Sequence, residues 1–373
     1  MTPHARVGIL GGGQLAQMLA DAGNRIGIAS TAYDPTPDAC AQTACPVMHQ
    51  PFDDVDALTA FAKSVDVVTC EFENVPMIAL ETCAKVCPVR PGPHSFYVAR
   101  NRIREKHALR DAGWATADFV EIRTDDDLTL AAETLGFPCI IKSAEGGYDG
   151  YGQQRVHSLD KLRQAWIQMN VSQAIVEKLV EFSRELSIIG CRAPDGTHIT
   201  WPIVHNHHDD GILLWTIAPA QNVSEALETD AAQRLVALME QLDHIGVLTL
   251  EMFDTPDGLV VNEIAPRVHN SGHWSIEGTS ASQFENHMRA MVGRHLVIPE
   301  LAHTSVMVNL LGSIPDLASL RAVSDTHIHE YGKAPRGRRK IGHVTSLCHS
   351  SSDVASRRDK LLSVIRPDLV AVQ

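Results

Sequence analysis

The run GVLTLEMFDTPDGLVVNEIAPR, residues 246 to 267, admits few structures. Asp257-Gly258 between two apolar stretches is a strong short-range hairpin signal, because glycine takes a positive φ in the turn without steric cost. A turn at 255 to 258 folds the strands back and brings Glu251 nearly opposite Asn262 and Glu263. Opposed residues of an antiparallel pair share a face, so three oxygen-bearing side chains converge on one spot of a sheet. Solvated glutamates are a poor account of sequence as apolar as LTLEMF and LVVNEIAPR. A hard cation is a better one, since Mg2+ takes one or two carboxylates, keeps several waters and shares substrate phosphates. RELSIIGCRAPDGTHITWPIV predicts another hairpin, around Asp195-Gly196.

The strand FPCIIK ends at Lys142 and runs into SAEGGYDGYGQQ, where Gly146, Gly147, Gly150 and Gly152 surround Tyr148, Asp149 and Tyr151. Glycine at that density lets backbone N–H groups approach a ligand closely, at an entropic cost. An ammonium group at the strand end would meet phosphates cradled by those N–H groups. Joined to the distant Glu251 and Asn262-Glu263, this points to a nucleoside triphosphate.

The opening RVGILGGGQLAQMLADAGNRIGIAS reads as strand, turn, helix and strand, the first half of an α/β unit, with Leu15, Met18, Leu19 and Ala22 on one helix face. Gly11, Gly13 and Ala16 satisfy G-x-G-x-x-G/A, and Asp34 lies close to where a ribose-binding acid sits in a dinucleotide fold. Two readings stay open: the glycines only make a tight turn, or the helix N-terminus faces an anionic ligand. Neither requires NAD. SVDVVTCEFENVP adds a buried strand ending in carboxylates Glu71 and Glu73, and the first domain ends near residue 100. SFYVARNRIREKHALRDAGW then predicts a basic linking helix. From about 116 the pattern is a compact α+β unit, with Thr124 as N-cap of TDDDLTLAAETLG.

His205, His207 and His208 in HNHHDD fit no closed zinc spacing and have no cysteine nearby, so contacts to ligand or backbone from a loop are expected. KAPRGRRK carries Lys333, Arg336, Arg338, Arg339 and Lys340, either as a solvated basic loop or as a grip on a substrate phosphate. The 373 residues otherwise carry a formal net charge of −13, which argues against a nucleic-acid partner. The eight cysteines include no CxxC pair, so reduced thiols in a cytoplasmic protein are expected. No run approaches the roughly 20 apolar residues of a membrane span, so no membrane partner is expected.

Taken in order, VGILGGGQLAQML, EFENVP, IIKSAEGGYDGYGQ, VEKLVEFSRELSIIG, GVLTLEMF, VNEIAPRVHNSGHWSIEGTSASQFENHMRA and GRRKIGHV resemble the 5-(carboxyamino)imidazole ribonucleotide synthetase family of ATP-grasp enzymes. The resemblance runs nearly end to end and is most specific in NEIAPRVHNSGHW. It implies an α/β and α+β chain: a Rossmann-like, pre-ATP-grasp substrate domain at 1–102, an ATP-grasp domain at 103–295 with a lid subdomain at about 116–183, and a small β-rich C-terminal domain at 296–373. It implies ATP- and bicarbonate-dependent carboxylation of 5-aminoimidazole ribonucleotide through carboxyphosphate, in purine biosynthesis, by a homodimer.

By the same resemblance, ATP would be held by Arg102, Lys142, Gly146, Gly147, Tyr148, Asp149, Gly150, Tyr151, Gly152 and Gln153, by the hinge Glu177, Lys178, Leu179 and Val180, and by Glu185, His208, Asn262 and Glu263. Glu251 and Glu263 would hold Mg2+, or Mn2+ in its place. Arg267 and His269 would sit by bicarbonate, with Asp149 and Lys340 also catalytic. Gln14, Leu15, Glu73, Tyr148, Asp149, Lys333, Arg339 and Lys340 would face the aminoimidazole nucleotide. Many relatives carry Arg or Lys where Tyr151 stands, so no cationic contact from the lid is carried over. Competing readings are a sibling ligase such as the formate-using glycinamide ribonucleotide transformylase, an NAD(P) oxidoreductase built on the N-terminal glycines, and a non-catalytic nucleotide-binding protein.

Overall fold

The computed structural model describes residues 5–147 and 152–370, so Tyr148, Asp149, Gly150 and Tyr151 of the glycine loop lie outside the described residues. Strands β1 (Arg6–Leu10), β2 (Ala29–Tyr33), β3 (Val47–Met48) and β4 (Val67–Cys70) form a parallel sheet in the order β3-β2-β1-β4. Parallel strands covered on both faces read as continuous apolar runs, and VVTC of β4 is wholly buried. Leu15, Met18 and Leu19 of helix Gln14–Arg25 share a core with Phe284 and Met288 of helix Gln283–Met291, which seats this unit on the middle of the chain.

The expected basic linking helix is two helices, Pro93–Ala99 and Arg102–Asp111. Asn101 divides them. Extended at φ −123, its side chain accepts from the N–H groups of Ile103 and Arg104 and caps the second helix.

Strand β5 (Ala115–Thr116) leads into a four-stranded antiparallel sheet of β6 (Phe119–Ile122), β7 (Cys139–Ser143), β8 (Gln153–Val156) and β9 (Ala174–Lys178), ordered β6-β9-β7-β8. Helices Asp125–Leu135 and Leu159–Met169 bury Leu128, Ala131 and Leu162 against Ile141 and Val176. Thr124 is the N-cap, in a reciprocal capping box with Asp127.

Strands β10 (Arg184–Arg192), β11 (His198–Thr200), β12 (Val204–Asp209), β13 (Ile212–Ala218), β14 (Gly246–Thr255), β15 (Gly258–Ala265), β16 (Thr304–Leu311), β17 (Thr326–Glu330) and β18 (Lys340–Cys348) build the large sheet. Its order is β17-β18-β16-β13-β12-β10-β14-β15-β5, with β11 on β10. Both DG hairpins form, as β10–β11 and β14–β15. The C-terminal strands continue this sheet, because β16 pairs with β13. Among the described residues no helix is long and apolar enough to cross a membrane. All eight cysteines are free thiols.

Candidate active site

In the β14–β15 ladder Glu251 lies opposite Glu263, but the next pair is Met252 with Val261. Asn262 is therefore the extra residue of a bulge, and two residues of β15 oppose one of β14. Burial raises the Glu251 carboxyl to about 7; His208 works against this and the Glu263 charge reinforces it. Two mutually repelling carboxylates with an amide beside them are a donor set that suits a hard dication. Among the described residues no group of three or more His, Cys, Asp or Glu is arranged around a metal position.

Glu251 has two histidine neighbours. His208 Nδ1 bonds Glu185 Oε2 at 2.8 Å and its Nε2 lies 3.9 Å from Glu251 Oε1. Burial lowers His208, but the Glu185 hydrogen bond and the Glu251 charge carry it up to about 9. His269 Nε2 lies 3.3 Å from the same Glu251 oxygen. Burial, with Arg267 and Lys340 beside it, pushes His269 far below its usual range, so it is neutral. HNHHD is strand, not loop, and the turn begins at Asp210. Its alternation turns Asn206 and His208 toward Glu185 and Glu251, while His205 and His207 pack on Trp215 at 5.0 and 5.1 Å between ring centres.

Between the small sheet and β14–β15 runs a cleft whose walls include Ile140, Lys142, Leu179, Phe253, Val260 and Asn262. Lys178 and Val180 also line it. Glu177 lines it as well, with its carboxylate engaged by a lysine: Lys142 Nζ donates to Glu177 Oε2 at 2.6 Å. Gly146 and Gly152, at φ +80 and +74, form the two ends of the glycine loop, next to Gly147 and the exposed Gln153. Arg102 Nη1 donates to the Ser143 carbonyl at 2.9 Å, fixing the strand end that carries Lys142. Lys106, Ile140, Phe253 and Val260 escape a motif-based reading. For Lys106 a signal exists, since it falls in the buried stripe of Ile103 and Leu109, where an apolar residue is expected.

Glu71 decides what the N-terminal glycines do. One of its oxygens accepts from Gly13 N–H and Oε2 accepts from Ala16 N–H at 2.9 Å, while Asp34 Oδ2 takes Gly12 N–H at 2.8 Å. The helix N-terminus faces an anion of the protein itself, and Asp34 is committed to the turn. This overturns the dinucleotide reading. The Leu15 side chain, expected to face substrate, lies in the core and leaves only its backbone to a ligand. Lys333 Nζ donates to Gln14 Oε1, and Arg267 Nε donates to Glu73 Oε2 at 2.5 Å. The basic run divides: Arg338 pairs with Asp209 and Asp210, Arg336 and Arg339 are exposed, and Lys333 and Lys340 are half-buried. The Lys340 charge acts on both Glu73 and Glu251.

Two sheets closing on a cleft, with a lysine on one and a carboxylate pair on the other, place the chain in the ATP-grasp class, and a model of the ATP-grasp domain matches residues 107–284. Models of the ribonucleotide synthetase preATP-grasp domain and of the phosphoribosylaminoimidazole carboxylase C-terminal domain match residues 4–100 and 305–357. The chain belongs to the N5-carboxyaminoimidazole ribonucleotide synthase family. The Pseudomonas aeruginosa member is 40% identical over 352 residues, which cover 94% of this chain and 97% of that one. The Vibrio cholerae member is 37% identical over 369 residues, covering 96% and 95%. The crystal structure from Thermus thermophilus matches with a TM-score of 0.92 at 38% identity, covering 96% and 98%. That from Aspergillus clavatus, in complex with ADP and 5-aminoimidazole ribonucleotide, matches with a TM-score of 0.88 at 30% identity, covering 100% of both.

Proposed function

We propose that this chain joins bicarbonate to the exocyclic amine of 5-aminoimidazole ribonucleotide, converting ATP to ADP and phosphate, in de novo purine biosynthesis. The observation that carries this reading is His269 Nε2 lying 3.3 Å from Glu251, with Glu263 opposite Glu251 in the ladder and the Arg267–Glu73 pair on the segment that follows. Bicarbonate is a poor electrophile. Transfer of the γ-phosphoryl group to one of its oxygens gives carboxyphosphate, and attack of the amine on that carbon expels phosphate.

Glu251 and Glu263, with Asn262, would hold Mg2+ or Mn2+, which neutralises charge on the transferred group. Lys142 would meet the nucleotide phosphates; Arg267 and Lys340 would face bicarbonate and carboxyphosphate. Neutral His269 offers them a hydrogen bond rather than a charge. Gln14, Lys333 and Arg339 would receive the ribonucleotide, and Glu73 acts through Arg267. Asp149, in the loop outside the described residues, is the proposed proton acceptor, from a lid that keeps water from carboxyphosphate. With this reading go unit boundaries near residues 102 and 295, a homodimer and a cytoplasmic location.

ADP release should require both 5-aminoimidazole ribonucleotide and bicarbonate. ADP formed equally well from glycinamide ribonucleotide and formate would favour the sibling ligase instead.

A further inference from the structure

The ammonium group that would meet phosphate already has a partner. Lys142 Nζ and Glu177 Oε2 are 2.6 Å apart, and both side chains are buried. Moving Lys142 onto a phosphate takes that partner from Glu177, and a buried carboxylate left alone is strongly disfavoured. A second lysine answers the difficulty. Lys106, 1% exposed, reaches from helix Arg102–Asp111 and places Nζ 3.4 Å from Glu177 Oε1. The same Nζ donates to the carbonyls of Asn262 at 2.7 Å and Val261 at 3.3 Å. The carboxylate thus divides its oxygens between two lysines, one on the small sheet and one tied to the bulge beside Glu263.

We propose that Lys106 is a positioning residue: it keeps Glu177 paired while Lys142 exchanges that carboxylate for nucleotide phosphate, and it links the exchange to the bulge that presents Asn262 and Glu263. Burial by itself would raise the Glu177 carboxyl, yet Lys142 and then Lys106 hold it at about 2, so it is charged while both lysines face it. The inference rests on the nucleotide reading above and adds a residue that the family motifs leave unassigned.

Calorimetric titration of the full chain with AMP-PNP and Mg2+ tests it. Lys106→Met should weaken binding roughly tenfold or more, because Lys142 is then the remaining counter-ion of Glu177. Lys106→Arg should stay within about threefold of wild type. The double variant Lys106→Met/Glu177→Gln, which removes the charge that recaptures Lys142, should recover to within about threefold of wild type. A lysine that merely supports the fold gives no such rescue. A double variant as weak as Lys106→Met, or a Lys106→Met chain that binds like wild type, overturns the proposal. If Lys106→Met does not fold, Lys106→Gln keeps a donor for the two carbonyls and is read the same way, alone and with Glu177→Gln. A wild-type chain that binds no AMP-PNP overturns the nucleotide reading itself, which separates the two failures.

Discussion

Arg267 Nε donates to Glu73 Oε2 at 2.5 Å across 194 residues of sequence, joining the loop after β4 to the segment after β15. Burial would raise the Glu73 carboxyl, but Arg267 overcomes it and holds the group below its ordinary range. Glu73→Ala leaves the guanidinium without this partner. The side chains are 16% and 22% exposed, so the expected loss falls below that of a fully buried pair, at about 2–3 kcal/mol in urea unfolding. Glu73→Ala/Arg267→Ala should lose less than the two single variants added together, and strictly additive losses would show that the pair does not couple the units.

The N-terminal turn makes a packing prediction. A Cβ on Gly13 would lie 2.6 Å from Glu71 Oε1, whereas one on Gly92 would meet nothing within 4 Å. Gly13→Ala should therefore cost about 1–3 kcal/mol by displacing the carboxylate from the helix N-terminus. Gly92→Ala should stay within about 0.5 kcal/mol of wild type. Thermal denaturation compares them directly, and equal midpoints would refute the Glu71 assignment. Calorimetry with NAD should register no binding.

Removing either carboxylate of the proposed metal site should separate activity from stability. Glu251→Gln and Glu263→Gln are each expected to lower ADP release by roughly a hundredfold or more, and chelation of divalent ions should do the same to wild type. Mg2+ should raise the wild-type melting temperature and leave Glu251→Gln unmoved, because the stabilising term is binding to the folded state. Undiminished turnover in both variants would remove the carboxylate pair from the mechanism.

Much of this site is legible in the chain. The DG turn and the lengths of its flanking apolar runs bring Glu251 to within one residue of Glu263 across β14–β15, and FPCIIK followed by glycine shows where Lys142 stands beside the glycine loop. The bulge at Asn262 is not legible, because it is held by Glu105 and Lys106, 159 and 155 residues before the backbone groups they bond. The G-x-G-x-x-A pattern specifies a backbone turn but not the source of the anion that meets it, and here Glu71 on a different strand end supplies it. Pairing of β16 with β13 escapes for the same reason: strand-to-strand registry over such a separation leaves no local mark.

Glu105 yields a pH prediction from that same contact. It is 2% exposed and accepts a hydrogen bond from Ile264 N–H. Burial raises its carboxyl to about 8, against the pull of Lys106 and with the Glu263 charge adding to the rise. An unfolded glutamate titrates near 4.3, so the folded chain binds this proton more tightly than the unfolded one. The associated stability is fully present below about pH 4.3 and drains away as pH rises through about 8. Glu105→Gln accepts the same N–H through its amide oxygen and has no proton to lose. At pH 8.5 it should exceed wild type by about 1–3 kcal/mol in denaturant unfolding, with the difference shrinking as pH falls toward 5. If the two stability curves run parallel between pH 5 and 8.5, Glu105 does not titrate in that window.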